Sequence, residues 1–162
     1  MLGMNIASKF HFLIGLFLIV SCGENNHSEK HSSHHVHTAP HGGQLLSLGK
    51  HESGFNLELV LHEQGFLQIY VMDACAENFV RISANSIDIE FTDENNNTKT
   101  ILCEPIEDPV TGETIGDTSL FTSTVPVNKN LPLTGVIKKL NIREFSYEDI
   151  EINFSGKLDN EK

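Results

Sequence analysis

Six of the nine histidines in the chain fall between residues 27 and 41, in the stretch HSEKHSSHHVHTAPH. Neutral imidazole suits Zn, Cu and Ni, and histidine-rich tracts commonly bind such ions. The spacing of His31, His34, His35 and His37 lets a flexible peptide wrap one ion, and His41 is the candidate link to whatever fold follows. Binding of this kind depends on pH, because the ligands must first lose their protons. The bland alternative is a polar linker that happens to be rich in His.

Further along, His51, Glu58, His62 and Asp73 form a possible secondary metal set. Their spacing does not bring them together. Glu58 and His62 share a face of an extended segment but lie roughly 13 Å apart along it. A compact His41, Glu58 and His62 site requires the chain to fold back on itself. Spacing alone leaves these residues as polar groups on an exposed sheet face. Cys75 and Cys103 stand about 28 residues apart, and an oxidising compartment makes a disulfide the default, worth roughly 3 kcal/mol. A thiolate pair for a soft metal such as Cu(I) is the other option. Neither cysteine belongs to a CxxC motif.

The leader sets the compartment. A weakly basic start with Lys9 precedes an apolar run from Phe12 to Val20, followed by Ser21 and Cys22. The run is too short for a spanning helix, which needs roughly 20 residues, and it suits a signal-peptide core. Ser21-Cys22 resembles a lipobox, which implies cleavage before Cys22 and its acylation. Gly23 in place of an aspartate points to the outer membrane, facing the periplasm. Several acyl chains anchor stably where one does not.

Residues 1–21 are thus read as a lipoprotein signal peptide and 22–39 as a flexible, His-rich tether. Residues 40–162 are read as a single domain. The net charge is −11, and losing Lys9 with the leader makes it one unit more negative. No basic cluster is present, so nucleic acid is a poor partner and cations are favoured over anions as ligands.

The domain has a β pattern. Residues 55–62 alternate, with Leu57, Leu59 and Leu61 on one face and Glu58, Val60 and His62 on the other. Glu63-Gln64-Gly65 is a turn and residues 66–73 a return strand. Residues 86–92 and 98–104 make a second hairpin. Residues 105–117 form a long loop, and 119–125, 136–142 and 147–154 are three further strands. About seven short strands without a helical period predict an all-β, immunoglobulin-like β-sandwich behind the tether. Nucleophile elbow, phosphate loop, HExxH and paired catalytic carboxylates are all missing from the sequence, so a non-enzymatic role is expected.

Pro40-His41-Gly42-Gly43, then Glu58-Leu59-Val60, then Leu67-Gln68-Ile69-Tyr70 and Asp73 make up a combined pattern. Over residues 40–73 the chain resembles a small β-domain of periplasmic proteins found near heavy-metal efflux systems. A similar domain is attached to some periplasmic adaptor subunits of those exporters. The resemblance implies metal handling in the periplasm, an efflux adaptor as a partner, and His41, Glu58 and Asp73 as the family positions. The chain departs from the pattern after Asp73. Ala74-Cys75-Ala76-Glu77-Asn78 stands where a proline-containing turn is expected.

The combined expectation is a lipid-anchored periplasmic protein that captures or buffers Zn, Cu or Ni ions through its tether. A protein-interaction or structural envelope module is the alternative, with the 105–117 loop as a contact surface. A pH-sensing tether is a third reading, since clustered histidines titrate near neutrality.

Overall fold

The computed structural model describes residues 37–92 and 96–156. The signal peptide, Cys22, His31, His34 and His35 lie outside the described residues.

The alternation of apolar residues is realised as eight strands. They are β1 (Gln44–Leu48), β2 (Phe55–Leu61), β3 (Leu67–Asp73), β4 (Ile87–Thr92), β5 (Thr98–Pro105), β6 (Leu120–Ser123), β7 (Leu133–Ile142) and β8 (Phe145–Phe154). Every pairing is antiparallel, and the order across the sheet is β1-β2-β3-β6-β5-β4-β7-β8. The two outer strands approach each other where Gln44 Nε2 donates to the Asn153 carbonyl at 2.8 Å. The sheet is therefore wound almost into a barrel, with one apolar interior.

The all-β architecture is the one expected, with eight strands where about seven were read. The additional strand is β1, a short segment whose Leu48 points into the core and whose Leu46 packs against it. The two expected hairpins are present as β2–β3 and β4–β5.

The interior follows from the two-residue period. Leu57 and Leu59 of β2, Leu67, Ile69 and Val71 of β3, and Ile87 and Ile89 of β4 are buried. Ile101 and Cys103 of β5, Phe121 of β6, Ile137 of β7 and Ile152 and Phe154 of β8 are buried with them. Each such side chain contributes about 1.5–3 kcal/mol on removal from water. The expected loop after β5 is held by short bridges, Asp108 with Glu113 and Thr114 with Asp117. Glu113 is buried within it and accepts hydrogen bonds from Ser119 Oγ at 2.7 Å and Thr118 Oγ1 at 3.0 Å.

Candidate functional site

Strand β2 carries the least expected feature of the molecule. Alternation places Glu58 opposite the core face, yet its side chain is 0% exposed. Phe55 through Leu59 are all buried, so both faces of this half of β2 are covered. The exposed-face expectation for Glu58 is corrected, and the cover comes from residues 41–43. A tight turn, closed by Gly42 N–H donating to the Ala39 carbonyl at 3.1 Å, curls the chain back over β2.

There Glu58 meets three donors. Its Oε1 accepts from the backbone N–H of His41 at 2.8 Å and of Gly43 at 3.0 Å. Its Oε2 lies 2.8 Å from His41 Nδ1. A buried carboxylate needs such partners, because burial without them costs several kcal/mol.

The paired glycines make the fold-back possible. Gly42 has φ +70°, a conformation that side-chain-bearing residues avoid. A Cβ on Gly43 would collide with the Leu59 carbonyl oxygen and the Val60 side chain. His41-Gly42-Gly43 thus acts as a clasp, with the glycines bringing the backbone against β2 and the histidine closing over Glu58.

Aromatic rings pack on the clasp. Tyr70 pairs with Glu58 across the β2–β3 ladder, and its ring stacks on His41 with centroids 3.9 Å apart and planes 15° apart. Phe79 lies 5.6 Å from the His41 ring and is itself 49% exposed. Burial raises the Tyr70 phenol above its ordinary pKa, and the Glu58 charge adds to that. The side chain of His41 remains 36% exposed. With Nδ1 donating to the carboxylate, Nε2 is left for an external partner.

Asp73 does not touch this centre. It shapes the turn that follows β3. Its Oδ1 accepts from the Glu77 N–H at 3.0 Å and its Oδ2 from Asn78 Nδ2 at 2.6 Å. Partial burial pushes the Asp73 carboxyl up, but hydrogen bonds from Asn78, Glu77 and Cys75 outweigh it and hold the group below its ordinary value. The turn returns the chain so that Phe79 bridges to Met72, beside the clasp. Asp73 therefore reaches His41 only indirectly, through Phe79.

His62 sits at the far end of β2, where its Nδ1 accepts from the Gln64 N–H at 3.3 Å in the hairpin turn. It takes no part in the clasp. His51 lies in the β1–β2 turn and meets the end of the tether, where His37 Nε2 and His51 Nε2 stand 2.8 Å apart. Among the described residues no three His, Cys, Asp or Glu side chains gather into a group able to hold a metal ion.

The expected disulfide is not formed, and both Cys75 and Cys103 are free. Cys103 is buried in β5, opposite Ile87 of β4 and Ser123 of β6, whereas Cys75 is exposed in the turn after β3. Burial pushes the Cys103 thiol up to about 12, with the Asp88 charge contributing. Such a thiol is a core side chain rather than a ligand or nucleophile.

The two rings on His41 were not anticipated from sequence. Tyr70 was within reach, since a hairpin turning at Gly65 sets it opposite Glu58. Phe79 was not, because its placement depends on the turn fixed by Asp73. A groove of about 780 Å³ along β1, β4, β7 and β8 is lined by Glu90, Lys138 and Glu151 among others, with no His or Cys.

Comparison with protein-family models, with curated proteins and with solved structures finds no match.

Proposed function

We propose that this is a lipid-anchored protein of the bacterial envelope whose histidine tract captures or buffers Zn, Cu or Ni ions, and that it works beside a heavy-metal exporter. The supporting observation is the clasp at the base of the tract. A histidine that ligates a metal through one nitrogen commonly donates the other N–H to a carboxylate, which fixes its tautomer and raises its basicity. His41 makes that contact with a buried Glu58 and keeps Nε2 free of it. The clasp also fixes to β2 the point from which the chain leads back to His31, His34, His35 and His37.

The protein isolated from envelope membranes tests this reading. Bound Zn, Cu or Ni that disappears when residues 27–37 are deleted supports it. Absence of bound metal in the intact protein, in medium supplemented with these ions, counts against it.

One observation favours the second reading, a protein-interaction module. Val110 and Ile115 are 95% and 66% exposed on the loop between β5 and β6. Arg81 braces that loop through Glu113 and Asp117. Apolar side chains held out on a braced loop suit a protein contact. On this reading Val110→Ser with Ile115→Ser abolishes the protein's role, and removal of residues 27–37 leaves it intact.

A further inference from the structure

The histidine pair across the tether and the first turn has geometry that the clasp does not account for. His37 Nε2 and His51 Nε2 are 2.8 Å apart, with ring centroids at 4.8 Å and planes tilted by 33°. Two nitrogens bound to one ion at about 2.0 Å and at a right angle stand about 2.8 Å apart, whereas a tetrahedral ion holds them about 3.3 Å apart.

The surroundings are fixed in place. Both rings line a cleft of about 180 Å³ whose polar side comes from Ser47 and Asn56. Ser47 Oγ donates to Asn56 Oδ1 at 2.7 Å. Asn56 Nδ2 in turn donates to the carbonyls of Asp73 and Ala74 at 2.8 and 3.1 Å. The β1–β2 turn that bears His51 is closed by Ser53 N–H donating to the Lys50 carbonyl at 3.1 Å. Lys50 lines the cleft as well.

We infer that His37 and His51 form a two-nitrogen site for a divalent ion of tetragonal preference, Cu(II) or Ni(II), held between the end of the tether and the β1–β2 turn. The inference rests on the metal-capture reading and adds to it a domain-borne site with its own selectivity. Without an ion the two nitrogens share one proton, as donor and acceptor. Ion binding takes both lone pairs, and that proton moves to Nδ1 of the same ring, so two neutral rings release no net proton. Water completes the coordination.

Cu(II) and Ni(II) titrations of the purified protein in a non-coordinating buffer test this, with the nitrogen hyperfine pattern of Cu(II) and the thermal midpoint as readouts. Three variants are compared: His51→Asn, His37→Asn, and the combined His31→Asn, His34→Asn and His35→Asn. The combined variant is expected to keep one ion with two nitrogen ligands and a raised thermal midpoint. Either single variant is expected to lose both features, with affinity at that site falling about tenfold or more. His51 lies on an exposed turn, so its replacement leaves the fold intact.

An unchanged nitrogen count and thermal shift in His51→Asn overturns the inference. So does an ion that vanishes in the combined variant while the unsubstituted protein binds one, and in that case capture by the tract still stands. If the unsubstituted protein binds neither ion, the inference falls, and binding of Zn(II) then decides whether the capture reading falls with it.

Discussion

Glu58 is the residue on which the site turns. Its carboxylate serves two backbone N–H groups and one imidazole in a place closed to water. Glu58→Ala leaves those donors without an acceptor and is expected to cost about 3 kcal/mol. A shift of the urea midpoint with unchanged slope measures it. Glu58→Gln keeps one acceptor oxygen and should cost less. A neutral Glu58→Ala result would mean that the clasp adds nothing to the fold.

The cysteines offer a second check at this scale. Of these two, only Cys75 should react with a thiol reagent at neutral pH in the native protein, and Cys103 should join it in denaturant. Finding no reactive thiol under either condition would restore the disulfide. Sequence could not separate the two residues, since exposure and burial are consequences of β5 lying inside the sheet.

At the scale of elements, the turn after β3 links Asp73 to the clasp. The carboxyl of Asp73 sits below its ordinary value of 3.8, so its hydrogen bonds favour the fold in full above that pH. The contribution is lost as pH falls through the lower folded value. The protection factors of the Glu77 and Asn78 amides, measured against the intrinsic exchange rate at each pH, should therefore fall below about pH 4, and Asp73→Ala should show the low protection at neutral pH. Protection that ignores both changes would detach Asp73 from this turn.

Strands β2 and β4 were legible because apolar residues alternate in each, and the later strands because Gly-, Pro- and Asn-rich turns set them apart. Strand β1 was not, since its five residues are short and follow two glycines that read as a boundary. The same glycines hid the fold-back. A linear count along β2 separates Glu58 from His62 correctly, but it says nothing of a turn that brings His41 onto Glu58 from outside the strand. Close backbone approach at Gly43 was the physical signal, and it becomes readable only with β2 in place.

At the scale of the whole molecule, the clasp ties the residues just before β1 to an acidic β-domain. The chain's charge of −11 favours cations near the surface, and the interior is filled by core side chains. Among the described residues, three histidines lie beside one another's elements: His41 on Glu58 of β2, and His37 against His51 of the β1–β2 turn. The most direct measurement is calorimetric titration of the protein with Zn(II), Cu(II) and Ni(II), beside a variant in which His31, His34, His35 and His37 are all alanine. The account predicts micromolar or tighter binding, about 8 kcal/mol or more, that the variant loses for at least one of these ions. Binding no tighter than millimolar for all three ions, or equal binding by the variant, would contradict it.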